Sequence, residues 1–551
     1  MRDSKNDKSK SKKWFKVGAW VLGIALFLFV GLFFFTSWLE SKIERTVQER
    51  SNGVYSLQLY GFGVSPFIGN LSIDSLTLKP DYERWQQLSG QHEETPATLL
   101  DLSTHEVELE GISVLKLIFS NKAQVDLLAI AQPRALLTQM RTDTTTRQKP
   151  LHETLSGMAK GMEIGEIDIT GATVRYRQEV AAENPFFSLE QFDLQVDDLQ
   201  LDSQSYRADD RAYYAKLIAL KARQAEAFLP NGFYRFRTDS IQLNTQQQLL
   251  TLQNIRSEAL LSAAQMSERK GEAVGLIDVK VPLLRLTGIN YAAQLRDKRF
   301  LATHLLVDGV EFSAFKDKKH FDNKPPKPLP HDIVQNVPIM FSIDTVTVEN
   351  MYARYEELAE EAKEPGHVFF DNLGGTITNL SNIPEQMTME HPAVLQASAL
   401  LMGKMPLSLQ ARLPLLAQNG YHTLEAELGE GQLTILNPIL ERTNFITVES
   451  GHVQRGFLQA ELTNKSAKGT MRVIYRNFKA ELISPGQQQG LGKEILSEIA
   501  NLIAIQSSNP DDKGEEPRTA EIDVTRDEAR SFLSYWKDCA KDGFISIATP
   551  L

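Results

Sequence analysis

The chain has 551 residues, of which 42% are hydrophobic and 23% charged, with a mean hydropathy of -0.26. These values exclude a mini-protein, a disordered chain and a polytopic membrane protein. A formal charge of -11 argues against a nucleic-acid binder, and the single cysteine, Cys539, permits no intramolecular disulfide, CxxC redox pair or thiolate zinc site.

Residues 1–16 form a basic arm, with Arg2, Lys5, Lys8, Lys10, Lys12, Lys13 and Lys16 against Asp3 and Asp7. An uncharged run follows from Val17 to Leu39. As a helix it measures roughly 34 Å, enough to cross a hydrocarbon core of about 30 Å. Trp14, Trp20 and Trp38 stand near its ends, where interfacial aromatics belong. A cleaved signal peptide is the rival, but the run is longer than a signal core and no small-x-small site follows it. The positive-inside rule therefore predicts a cytoplasmic arm (1–16), one transmembrane helix (17–39) and a translocated remainder.

Beyond Val54 short runs alternate at period two between Gly, Asn, Asp and Pro punctuation, which predicts strands at 70–80, 105–111, 166–177, 188–202, 238–255 and 341–356. In two of them the alternation slips, between Ile73 and Leu76 and between Ile343 and Val346, so bulges are expected there. Helices are expected at 82–89, 125–131, 205–227, 354–363, 488–505 and 526–541. Polar, proline-bearing loops separate them at 142–150, 316–330 and 509–518.

Three matches point to an internal duplication. LEGIS at 109–113 pairs with LTGIN at 286–290, QKPLH at 148–152 with PKPLP at 326–330, and IGEIDITGATVRY at 164–176 with IDTVTVENMYARY at 343–355. The offsets are 177, 178 and 179 residues. Stacked repeats of strands make extended surfaces.

The basic arm with one span, the segment LQLYGFGVSPFIGNLSIDSLTLKP after it, the repeated strands ending at Tyr176 and Tyr355, and the stretch 433–464 with Asn437, Pro438, Ser450 and Gly451 together resemble the AsmA-like family of bacterial envelope proteins. The likeness covers most of 15–485 by pattern. It implies a mainly β fold: an N-terminal transmembrane helix, then an elongated, curved, repeat-built antiparallel sheet forming an open groove, with few flanking helices. It divides the exported part into a first groove repeat (40–280), a second (281–485) and a C-terminal helical tail (486–551). It further implies a single-pass protein of the bacterial inner membrane, N-terminus cytoplasmic and bulk periplasmic, that handles phospholipid or another acyl lipid and supports outer-membrane integrity. An outer-membrane or envelope protein partner is the alternative.

A strand alternates faces, so an amphipathic sheet yields either a closed core or an open apolar trough. The residues expected to line it are Ile167, Ile169, Leu243, Val346, Val348, Ile435, Ile446 and Val448, and each fits an ordinary core equally well. Enzymatic motifs are missing: there is no G-x-S-x-G elbow, H-E-x-x-H pair, Walker loop or dinucleotide fingerprint, and the ten histidines are scattered. No catalytic residue, metal ligand or cofactor is therefore expected. Gly61-Phe62-Gly63 reads as a turn or bulge. Two C-terminal segments read as contact surfaces for a membrane or partner, or as caps on the sheet: Leu491, Ile495, Ile499 and Leu502 on one helical stripe, and Phe532 with Trp536 on a second helix.

Overall fold

The computed structural model describes residues 37–65, 69–90, 95–113, 122–141, 150–154, 161–178, 185–318, 325–483, 506–510 and 515–549. The basic arm and most of the 17–39 run lie outside these residues, as do Leu491, Ile495, Ile499 and Leu502. Residues 37–39 begin a helix over 37–50. Among the described residues no helix is long and apolar enough to cross a membrane.

The described chain is mainly β and forms two compact units, Met1–Ser205 with Tyr214–Leu217, and Tyr206–Tyr213 with Ile218–Leu551. The first unit contains β1 (Tyr55–Tyr60), β2 (Gly63–Ser65), β3 (Asn70–Ile73), β4 (Ser75–Pro80), β5 (Thr98–Thr104), β6 (Glu106–Glu110), β7 (Lys122–Ala131), β8 (Arg134–Gln139), β9 (Gly161–Arg177) and β10 (Phe187–Leu201). The second contains β11 (Leu217–Phe228), β12 (Tyr234–Thr238), β13 (Ser240–Asn244), β14 (Leu249–Ala259), β15 (Gly275–Thr287), β16 (Arg299–Asp308), β17 (Glu311–Asp317) and β18 (Met340–Leu358). It continues with β19 (Gly366–Ser381), β20 (Ala393–Leu401), β21 (Met405–Leu413), β22 (His422–Leu428), β23 (Gly431–Gln432), β24 (Ile446–Leu462), β25 (Ser466–Leu482) and β26 (Thr519–Thr525).

The pairing is mixed, where the sequence led us to expect only antiparallel neighbours. β7 and β8 both run parallel to β9, one beside each half, and β16 and β17 stand in the same relation to β18. This arrangement is repeated register by register. Tyr55 faces Pro80 and Tyr234 faces Ala259, 179 residues on; Glu106 faces Ala131 and Leu283 faces Asp308, 177 residues on. In the same way Leu128–Ile167–Val196 recurs as Leu305–Val346–Ile377. Structurally the duplication relates 55–201 to 234–381.

Backbone irregularities repeat with the strands. Left-handed positions correspond as Gly53 with Gly232, Gly69 with Gln248, Gly111 with Gly288, Gln132 with Gly309, Gly171 with Asn350, Gln191 with Asn372 and Asp198 with Asn379. Gly171 with Asn350 and Gln191 with Asn372 sit at register shifts of their strand pairs, and at these bulges the duplication has kept the irregularity while changing the side chain. The slip expected between Ile73 and Leu76 is a break at Asp74, whose N–H donates to the Tyr60 carbonyl. There Gly61 has φ +67°, and a Cβ on it would fall 2.0 Å from Asp74 Oδ2. In β18 the slip lies further on than expected: one register holds from Ser342 to Val348 and shifts before Met351, at left-handed Asn350.

Three expected helices are strands. Residues 125–131 belong to β7, all of 217–227 to β11, with only a short helix Ser203–Arg207 at the start of the expected 205–227, and β18 runs on to Leu358. In β11 alanine, lysine and arginine favour helix locally, but Leu220 and Ala222 find apolar partners in Leu243 and Ile241 of β13. Pairing and burial outweigh propensity there. The helices Tyr82–Gly90 and Phe532–Ala548 form near their expected places.

Candidate functional site

The most extensive chemical feature of the second unit is one face of its sheet. Residues directly opposite one another across strands make two neighbouring ladders. The first runs Leu220, Leu243, Leu250, Leu286, Leu305, Val346 and Ile377, then Leu395, Ala411, Leu424, Ala460, Gly469 and Ile522. The second runs Ala222, Ile241, Leu252, Leu284, Val307, Val348 and Gly375, then Ala397, Leu409, Ala426, Leu458, Met471 and Ala520. Because the two rungs on each strand are two residues apart, both ladders share a face.

The residues between them point the other way and are polar almost throughout: Gln242, Thr251, Arg285, Leu306, Thr347, Thr376, Gln396, Gln410, Glu425, Gln459, Thr470 and Glu521. The first unit shows the same division in miniature. Leu71, Leu109, Leu128, Ile167 and Val196 form one apolar ladder and Ile73, Val107, Ile130, Ile169 and Leu194 another, behind which lie Ser72, Glu108, Ala129, Asp168 and Gln195, polar but for the alanine.

Helices close one end of the apolar face in the second unit. Tyr535, Trp536 and Cys539 of the helix Phe532–Ala548 pack with Leu424, Leu458, Ala460 and Ile522 into a buried core that also takes Leu329 and Val334. Burial there pushes the Cys539 thiol up to about 12. Trp536 Nε1 donates to His422 Nε2 at 3.0 Å, and His422 Nδ1 lies 2.9 Å from the Gly420 carbonyl. These partners make His422 a neutral ring with its proton on Nδ1, and burial holds its pKa below the usual histidine range. Toward the middle of the sheet the cover thins. Leu305, Val307, Val348, Ile377, Leu395, Ala397 and Leu409 are only half-buried.

The structure sorts the residues chosen from sequence. Ile167 and Ile169 take adjacent rungs in the first unit, and Val346 and Val348 are their register equivalents in the second, joined by Leu243. Val346 is buried and the others are half-buried. Ile435 lies outside any strand, on the 3-10 turn Leu433–Leu436, because the segment before β24 is helical. Val448 is 4% exposed in a separate core with Leu433, Val453 and Tyr475, and Ile446 faces position 482 across the β24–β25 pair. Phe532 packs edge-on against Trp536, with ring centroids 5.4 Å apart. Trp536, read from sequence as a contact residue, is 8% exposed and spends its N–H inside the core.

Sequence inspection passed over Leu284, Val307, Leu409 and Ala426. The signal was present in LLRL at 283–286, LSLQARL at 407–413 and TLEAEL at 423–428, where apolar residues alternate strictly with polar ones in the last two. Among the described residues no cluster of three His, Cys, Asp or Glu side chains is placed to hold a metal ion. No protein-family model matches the chain, and no curated protein matches its sequence.

Proposed function

We propose that this chain is a non-enzymatic, membrane-anchored protein of the bacterial periplasm that binds acyl lipid along the apolar face of its sheet. The observation that carries the reading is the pair of apolar ladders, interrupted only by Gly375 and Gly469, backed by a largely polar column and with half-buried rungs at mid-sheet. Each methylene removed from water against such a surface contributes about 0.8 kcal/mol. An anchor in 17–39 would place the strip beside a lipid source, in keeping with the likeness to AsmA-type proteins and a part in outer-membrane lipid homeostasis. The elongated open groove is part of the same proposal.

The test is photo-crosslinking in cells from single positions on the two faces. Val348 and Leu409 are expected to capture acyl lipid, and Thr347 and Gln410, pointing oppositely, to capture none. Equal capture from both faces, or none from either, overturns the proposal. A second reading, a holder of an envelope protein, draws on β26, which pairs with β25 alone among the described strands. Edges of this kind accept an added strand. Protein adducts from β26 without lipid adducts from Val348 would favour it.

A further inference from the structure

We propose that the helix over 37–50, in the first unit, is a displaceable cover on the first rungs of that unit's apolar ladders, and that an acyl chain enters by taking the place of Ile43. Resting on the acyl-lipid reading, this adds the point at which a lipid reaches the sheet. The helix lies against the strands along one stripe: Leu39, Glu40, Ile43, Glu44 and Val47 are half-buried, and the other residues from 37 to 50 are exposed. Ile43 packs against the core of Leu59, Ile73 and Val107, which also takes Leu71, Leu109, Leu128 and Ile130. Ile73 and Val107 are the first two rungs of one ladder, and Leu71 and Leu109 the first two of the other. The cover therefore stands at the start of both.

Its hold on the strands is slight. Of residues 37–50, Ile43 is the one that packs in this core, and the Leu59 N–H donates to Glu44 Oε1 at 2.9 Å. The helix Phe532–Ala548 in the second unit, by contrast, sinks Tyr535, Trp536 and Cys539 into its core. The helix over 37–50 ends at two consecutive left-handed residues, Asn52 and Gly53, with φ of 52° and 78°, where the Gly53 N–H donates to the Gln48 carbonyl at 2.8 Å. One residue further the chain is firmly fixed: Val54 is 2% exposed among Trp85, Leu88 and Leu99, and its carbonyl accepts the Asp81 N–H at 2.8 Å. Arg84 Nε holds the Asn52 carbonyl at 3.0 Å.

A segment with few apolar contacts, joined to a fixed strand through such a turn, opens locally before the strands do. The helix begins within the apolar run 17–39, so with an anchor there the cover is the first part of the chain beyond the bilayer. A hydrocarbon chain restores the apolar contact that Ile43 gives up on leaving, and a polar ligand does not. Past the cover the rungs Leu128, Ile130, Ile167, Ile169 and Leu194 are half-buried and continue the same surface.

Two measurements on the full-length protein test this. Photo-crosslinking in cells at Ile130, which faces Val107 across β6 and β7, reads lipid on the rungs. Spin-label distances between Thr46→Cys and Glu108→Cys, in phosphatidylcholine nanodiscs with and without oleate, read the helix, and Cys539 at 0% exposure stays unlabelled. Glu44→Ala removes the acceptor of the Leu59 N–H and is expected to lengthen the distance and raise acyl-lipid capture at Ile130 about fivefold. Glu44→Gln keeps an acceptor and should match the unaltered chain. Oleate should lengthen the distance in the unaltered chain. A distance that neither oleate nor Glu44→Ala changes, with an unaltered melting profile, overturns the cover. Equal capture at Ile130 in Glu44→Ala and the unaltered chain, or no capture there while Val348 captures lipid, overturns entry at Ile43. Lipid at neither Ile130 nor Val348 in any variant overturns the acyl-lipid reading, and the distances still decide whether the helix opens.

Discussion

His422 occupies an unusual position for a titratable side chain, because both ring nitrogens are committed inside a core. Its Nε2 accepts the Trp536 N–H while Nδ1 lies at the Gly420 carbonyl, and Arg526 and His331 are the charged or chargeable groups that oppose its protonation. A second proton would have to displace the indole. Because the folded pKa is below the ordinary value of 6.5, the neutral ring stabilises the fold above that value, and the contribution is lost as the pH falls from there toward the folded pKa. His331 and His367, also lowered by burial, add in the same direction. The melting temperature is expected to fall between about pH 7.5 and about pH 5, and His422→Gln, which keeps an acceptor for Trp536, is expected to reduce the fall. Calorimetry of both proteins at the two pH values checks this; an identical fall would remove His422 as its source.

Among the elements, the bulged strands bear most directly on how the chain folds. Gly171 in β9 and Asn350 in β18 occupy the same left-handed position of the duplicated unit, with φ of 61° and 51°. Asparagine tolerates that conformation, glycine adopts it freely and a β-branched residue resists it. Asn350→Gly should therefore change stability by less than about 0.5 kcal/mol, while Asn350→Val should cost about 1–3 kcal/mol. Urea midpoints of the two variants decide the matter, and equal effects would show that the bulge is not set by this residue.

The same comparison shows what sequence could reveal. IGEIDITGATVRY and IDTVTVENMYARY align Gly171 with Asn350 and Ile167 with Val346, so both the duplication and the rung residues were legible. Parallel pairing of β7 and β8 with β9 was not, since alternation is the same in parallel and antiparallel strands. Helical composition misled at 205–227 because the partners of Leu220 and Ala222 lie some twenty residues downstream. Ile435 misled for the opposite reason: LTIL alternates like a strand but closes a 3-10 turn before Pro438.

For the molecule as a whole, the duplication makes a quantitative demand on the lipid proposal. Ile169 and Val348 are equivalent rungs, each flanked by apolar residues on both neighbouring strands except where Gly375 opens a gap beside Val348. Ile169→Asp and Val348→Asp should each lower the lipid captured at positions of their own unit. Loss of capture at one with none at the other would confine the activity to a single copy. Each substitution places a carboxylate at a half-buried site, so a stability cost of about 1–3 kcal/mol is expected alongside and is read by thermal melts.

The ladders also differ from a pocket in having no floor. Rungs recur once per strand, at about 4.8 Å, until the helix Phe532–Ala548 covers those of β22, β24 and β26, so short of that end a longer hydrocarbon chain meets more of them. A cavity imposes a sharp limit at the length that fills it. On this surface affinity should instead climb with every added carbon until the chain reaches the covered end, and fatty acids shorter than that would rank in order of length.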